Sequence, residues 1–172
     1  PEKIKGKYVA LHRPEGFFKF SRPSIWISYS PDLIYRGRER SILRPRENSW
    51  ESRRIGGGAP PIKTKKGWLI IYHGVKEEDI EGNIESIYSA GAALLDLKNP
   101  EKIIARSPID KPLFEPEEDY EKKGFINRVV FPTGAVPSLD GKSLLIYYGG
   151  ADSITAVKQI DIDEILKSME YF

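Results

Sequence analysis

The sequence predicts an all-β fold, and two observations support this. Short apolar runs separated by Gly, Pro, Asp and Asn clusters fill most of the 172-residue chain, whereas helical periodicity is confined to its last dozen residues. Three runs also resemble one another, because residues 24–30, 67–74 and 142–149 each hold an apolar stretch that ends in tyrosine and a polar or aromatic residue. Weak self-similarity on this scale favours the blades of a β-propeller, although periodicity does not separate a propeller from a β-sandwich.

The individual elements follow from local patterns. Runs rich in β-branched and aromatic residues predict strands over 8–11, 25–29, 68–72, 84–97 with a break near Gly91, 129–131 and 144–148. The charged stretches 77–81 and 115–123 are predicted to be exposed loops. An acidic start at Asp161 predicts a short C-terminal helix packed on the sheet. Its apolar residues have helical spacing: Ile162, Ile165, Leu166 and Met169.

Composition excludes several classes of protein. With 27 basic and 25 acidic residues, the net charge of +2 does not favour binding to nucleic acid or to a membrane surface. The seven arginines from Arg36 to Arg54 are interrupted by Glu39, Glu47 and Glu51, which indicates a solvated loop rather than a nucleic-acid site. No cysteine is present, so disulfides, thiolate nucleophiles and cysteine metal sites are excluded.

Length and hydrophobic content allow one domain over 1–172 with its own core. Pro1 stands where an initiator methionine would, and an apolar run begins almost at once, so we also expect a partial domain that starts inside a larger architecture. The sequence shows no membrane-length apolar run and no secretory leader. A cytoplasmic location is the resulting expectation, with no metal or cofactor.

Residues 50–74 carry the strongest functional signal. They contain paired arginines at Arg53 and Arg54, a glycine run at 56–58, Pro60-Pro61, and then an apolar strand that ends at His73. Glycines permit positive φ and prolines stiffen the chain, so we expect a rigid turn that presents cationic side chains to an anion. The alternative, which the spacing alone favours, is that the arginines are solvated and His73 is an ordinary hydrogen-bonded histidine at a strand end.

These segments belong to a wider pattern. Together with Asn99-Pro100, Val129-Val130-Phe131-Pro132-Thr133-Gly134 and Tyr147-Tyr148-Gly149-Gly150-Ala151-Asp152, they resemble glycoside hydrolase family 130, the β-mannoside phosphorylases. The resemblance runs from about Tyr8 to the end of the chain. It implies a five-bladed β-propeller, of which this chain supplies the later, C-terminal blades. It also implies inverting phosphorolysis of β-mannosides by inorganic phosphate as co-substrate, which gives mannose 1-phosphate.

The resemblance assigns roles to particular residues. Arg54 and His73 match positions that bind phosphate, and Arg13 and Tyr88 resemble further members of that site. Arginine suits this role because its guanidinium holds a phosphate dianion by bidentate hydrogen bonds. With the resemblance included, a functional role is favoured for Arg54 and His73. Asp152 matches a carboxylate that binds sugar hydroxyls, and the alternative is a turn aspartate that hydrogen-bonds its own backbone.

The chain departs from the family pattern in two places. It has Tyr35-Arg36 where family members usually carry a His-Trp pair. It also has no Glu-Asp-Pro-Arg type segment, which in the family contains the aspartate that protonates the leaving oxygen. We therefore expect this chain alone to lack the catalytic acid, and to need an N-terminal segment or a second copy. The alternatives are a hydrolase of the same family, in which water replaces phosphate, and a non-catalytic carbohydrate-binding or assembly module.

Overall fold

The apolar runs form antiparallel strands in the computed structural model, which describes residues 2–14 and 21–172. Within those residues the strands are β1 (Tyr8–His12), β2 (Ile25–Ser30), β3 (Gly37–Leu43), β4 (Arg54–Gly57), β5 (Ile62–Lys63), β6 (Trp68–Ile80), β7 (Asn83–Leu95), β8 (Ile103–Arg106), β9 (Val130–Pro137), β10 (Ser143–Gly150), β11 (Ile154–Asp161) and β12 (Glu170–Tyr171). The helices are α1 (Asp119–Lys122) and α2 (Ile162–Lys167). Neither helix is long and apolar enough to cross a membrane. The chain is mostly β with a short C-terminal helix, as predicted.

The described strands form three sheets. The first has the order β1-β2-β3, the central sheet β12-β8-β7-β6-β4 with β5 beside β6, and the third β11-β10-β9. The three similar sequence runs are β2, β6 and β10. Each is the second strand from one edge of its sheet: β2 lies beside the edge strand β1, β6 beside β4, and β10 beside β9. The self-similarity of the sequence therefore corresponds to equivalent strands in three sheets.

The central sheet is buried on both faces. Along β6, Leu69 and Ile71 belong to a core shared with the third sheet, while Ile70 and Tyr72 belong to a core shared with the first sheet. Alternate residues of a strand point to opposite faces, so this two-sided burial explains the continuous apolar run 68–72.

Strand lengths differ from the prediction. β6 continues to Ile80 and pairs with all of β7, so His73 lies inside a 13-residue strand rather than at its end, and residues 77–80 are not a loop. Glu81 and Gly82 both have positive φ, 55° and 83°, as a two-residue type I′ hairpin turn requires. β7 also runs through Gly91 without a break, where a Cβ atom would lie 2.3 Å from the Trp50 ring.

Two predicted loops are also wrong. Residues 115–123 contain α1, in which the buried Glu121 accepts hydrogen bonds from Tyr148 and from two backbone N–H groups. Residues 37–43 form β3, so the segment from Arg36 to Arg54 is not simply a solvated loop. Within it, Arg46 pairs with the buried Glu51 and donates to the carbonyl oxygens of residues 107 and 108.

Candidate anion site

Strand register brings Arg54 and Tyr88 together. Val75 of β6 is paired with Arg54 of β4 on one side and with Tyr88 of β7 on the other. Directly paired residues point to the same face of a sheet, so the two long side chains meet over the fully buried Val75. The Arg54 Nη2 donates a hydrogen bond to the Tyr88 hydroxyl, and the guanidinium carbon lies 5.2 Å from the ring centroid.

His73 lies two residues before Val75 and therefore points to the same face. It is paired with Gly56 of β4, where an added Cβ atom would lie 2.5 Å from His73 Cε1 and 2.9 Å from Arg13 Nη1. Gly56 thus leaves room for both side chains over the β4 backbone. Arg13 follows β1 in the first sheet, and its Nη1 lies 3.4 Å from His73 Nε2.

This arrangement corrects the predicted turn. Residues 54–57 form strand β4, and none of the glycines at 56–58 has a positive φ. Arg54, His73 and Tyr88 are therefore positioned by sheet register. The glycine that matters, Gly56, is required for the space it leaves and not for its backbone freedom.

The imidazole of His73 is buried, with 3% of its surface exposed. Burial first, and then the positive charges of Arg13 and Arg54, lowers the pKa of His73 from 6.5 to about 4, while the backbone of Gly57 acts in the opposite direction. His73 is therefore neutral at physiological pH. Its ring packs against Phe131 of β9 with the ring centroids 4.3 Å apart, and the Phe131 ring also lies 6.3 Å from that of Tyr88.

The positive charge of Arg54 is not cancelled by an ion pair within the described residues, where its hydrogen-bond partner is Tyr88. Neighbouring arginines differ: Arg53 pairs with Glu77, and Arg46 and Arg106 both pair with Glu51. A guanidinium that keeps its charge beside a second guanidinium and a phenol hydroxyl suits an anion with several oxygens.

An open groove of about 830 Å³ runs past Arg53, Lys76 and Glu77 but includes none of the cluster residues described above. Its basic side chains are ion-paired with acids of the same groove, as in Arg53–Glu77 and Lys76–Glu78. The groove is therefore a weaker candidate for anion binding than the smaller cluster.

Asp152 is separate from this cluster. It is exposed in the hairpin turn between β10 and β11, with a φ of 53°. The described contacts of this turn are to the segment before β9, where the N–H groups of Phe125 and Ile126 donate to Ser153 Oγ and the Ala151 carbonyl. Of the predicted site residues, the structure thus joins Arg13, Arg54, His73 and Tyr88. Within residues 2–14 and 21–172, no hydrogen bond or ring contact joins Asp152 to them.

The sequence assigns no role to Phe131 or to the carboxylate of Glu51. Phe131 is placed beside Tyr88 because the Tyr88 N–H donates to the Arg128 carbonyl, 3.0 Å away, just before β9 begins. Glu51 is fully buried and accepts from Arg46, Tyr72 and Arg106. This network supports the opposite face of β6 and is structural. Among residues 2–14 and 21–172, no group of three or more His, Asp or Glu could hold a metal ion.

Comparison with known proteins gives a consistent result. Residues 1–171 match the family described as beta-1,4-mannooligosaccharide phosphorylase, glycoside hydrolase family 130. A beta-1,2-mannobiose phosphorylase of Listeria innocua is 46% identical over 170 residues, which is 99% of this chain and 44% of that protein. A 1,2-beta-oligomannan phosphorylase of Thermoanaerobacter sp. is 44% identical and is covered over 50% of its length by 96% of this chain.

Solved structures agree. The Listeria innocua beta-1,2-mannobiose phosphorylase, in complex with beta-1,2-mannobiose, superposes with a TM-score of 0.88 over 98% of this chain and 44% of that chain, at 46% identity. A second structure, described as a member of the mannoside phosphorylase family that contains hydrolases of beta-1,2 mannosidic linkages, has a TM-score of 0.72 at 26% identity, over 94% of this chain and 45% of that one. The chain thus spans about half the length of these relatives. It belongs to glycoside hydrolase family 130.

Proposed function

We propose that Arg13, Arg54, His73 and Tyr88 form the phosphate site of a β-mannoside phosphorylase. The observation that carries this proposal is the meeting of two guanidinium groups and a phenol hydroxyl around a buried neutral imidazole, with Arg54 not ion-paired among the described residues. Inverting phosphorolysis needs phosphate held in line with the anomeric carbon, and bidentate cationic donors provide that orientation.

The substrate that we propose is a β-1,2-linked mannoside, converted with phosphate to mannose 1-phosphate. Relatives described as acting on β-1,2-linked mannosides are 43–46% identical to this chain, whereas a beta-1,4-mannooligosaccharide phosphorylase of Ruminococcus albus is 36% identical. Asp152, in its exposed turn, is proposed to bind sugar hydroxyls. No cofactor is needed in this scheme, because phosphate is a co-substrate and the proton comes from a carboxylic acid.

The complete active site requires more than this chain. We propose that its three sheets are the later blades of a five-bladed propeller, and that an N-terminal segment or a second copy supplies the catalytic acid. Loss of a positioned general acid costs roughly a hundred- to ten-thousand-fold in rate. The 172-residue chain incubated with β-1,2-mannobiose and phosphate should therefore form negligible mannose 1-phosphate. Robust formation of mannose 1-phosphate would refute the proposal that this chain alone lacks the catalytic acid.

Phosphate binding by this chain is the direct test of the site. Isothermal titration and NMR with inorganic phosphate should show binding that Arg54→Ala weakens about tenfold, because a charge-assisted hydrogen-bonding group is lost. The matched control is Arg53→Ala, since this neighbouring arginine is ion-paired with Glu77 and should leave the affinity within about twofold. Equal effects of the two variants would contradict the proposal.

A hydrolase is the second candidate, because the family contains hydrolases of β-1,2 linkages. A hydrolase uses water as its nucleophile and has no need of a cationic phosphate site. Binding of β-1,2-mannobiose without any phosphate binding would favour it.

A further inference from the structure

The contact between Arg13 and His73 fixes which atom of His73 carries a proton. A guanidinium has only donors, so Arg13 Nη1, 3.4 Å from His73 Nε2, makes Nε2 the acceptor. A neutral imidazole has one protonated nitrogen, which must then be Nδ1. Nδ1 is buried and has no hydrogen-bond partner among the described residues.

Besides Arg13, two neighbours hold the ring in this orientation. Phe131 lies against it at a centroid distance of 4.3 Å, and the backbone of Gly56 lies beneath its Cε1 and Nε2 atoms. Burial disfavours a charged form. A doubly protonated His73 would also direct an Nε2–H at the Arg13 guanidinium, which would place two cationic donors face to face.

We propose that His73 is a positioning residue that acts through Arg13. Its Nε2 lone pair orients the Arg13 guanidinium toward the anion, and its own proton stays on Nδ1 when phosphate binds. This inference rests on the proposed phosphate site and changes one role within it. His73 is a neutral acceptor for an arginine, and not a cation that pairs with phosphate.

A double-mutant cycle tests the coupling. In His73→Gln the side-chain Oε1 can occupy the place of Nε2 and accept from Arg13, whereas His73→Leu keeps the bulk but has no acceptor. With inorganic phosphate as the probe, we expect His73→Gln to bind within about threefold of the parent and His73→Leu to bind about tenfold more weakly. In an Arg13→Ala background, His73→Leu should change the affinity less than about twofold, since the group it orients is gone.

The proton position is measured independently on the parent chain. Only two histidines are present, so the imidazole ¹⁵N signals of His73 are assigned with a His12→Gln variant. We expect the neutral Nδ1–H tautomer at pH 7, both without phosphate and at saturation. This measurement does not depend on whether His73→Leu folds.

The outcomes separate the two proposals. If the parent binds phosphate, any of three results overturns the positioning role alone. These are equal losses of affinity in His73→Gln and His73→Leu, additive losses of affinity in the Arg13→Ala/His73→Leu double variant, or a doubly protonated His73 imidazole. No phosphate binding by the parent overturns the phosphate site, and the positioning role with it.

Discussion

Acid should destabilise this chain through His73. Its pKa lies at about 4 in the folded chain and at 6.5 without the fold, so between these values the unfolded chain binds a proton that the folded chain does not. Where the unfolded state binds more protons, the free energy of unfolding falls as the pH falls. The loss therefore begins near pH 6.5, is nearly complete near pH 4, and is absent above pH 7. A pKa difference of this size corresponds to roughly 3 kcal/mol.

The assay is urea unfolding of the parent and of His73→Gln between pH 7.5 and 4.5, in buffers free of phosphate and sulfate. Glutamine does not titrate, whereas carboxylates such as Glu121, whose folded pKa is lowered, titrate in both proteins and cancel in the comparison. Over this range the parent should lose about 2 kcal/mol more than the variant. Parallel losses in the two proteins would refute the account of a buried imidazole kept neutral by its neighbours.

Two further substitutions test the packing at Gly56 and the buried ion-pair network of Glu51. Gly56→Ala should lower stability by about 1–3 kcal/mol in thermal unfolding and weaken phosphate binding, because its methyl group would lie 2.5 Å from His73 Cε1. Gly57→Ala should change neither stability nor phosphate binding, because no atom lies within 4 Å of the added Cβ. Equal effects of the two alanine substitutions would contradict the explanation that Gly56 leaves room for His73. Glu51→Gln should cost about 3–5 kcal/mol in urea unfolding, because it leaves the buried Arg106 and the partly buried Arg46 without their counter-charge. The exposed Glu47→Gln should cost less than about 1 kcal/mol, and a similar cost for both would contradict the role of the buried network.

The sequence predicts the apolar centre of each sheet better than the ends of the strands. Residues 68–72 are recognisable because both faces of β6 are buried, which requires a continuous apolar run. Residues 77–80 look like a loop because they are charged, yet they pair with β7 in a hairpin that projects beyond the core. Their pairing is set by the Glu81-Gly82 turn, and solvent accepts charge on a strand as readily as on a loop.

The candidate site could be predicted only in part, because some of its residues are brought together by long-range packing. Arg54 and His73 stand out because cationic and titratable side chains flank glycines and an apolar run. Phe131 does not, since an aromatic residue in a strand usually belongs to a core, and only the packing of β9 beside β6 and β7 brings it to His73. Long-range packing of this kind has no local sequence signature.

The cluster depends on all three sheets at once. Arg13 follows β1 of the first sheet, Arg54, His73 and Tyr88 belong to the central sheet, and Phe131 lies on β9 of the third. Within the central sheet, ladder register fixes the side chains. Between sheets they are placed by backbone contacts, such as the hydrogen bond from the Tyr88 N–H to the Arg128 carbonyl, and by side-chain packing at Gly56 and Phe131. The separation of the two guanidinium groups therefore depends on how the first sheet packs on the central one. This explains why a neutral histidine, which can accept from Arg13 without repelling it, suits the position between them better than another cation would.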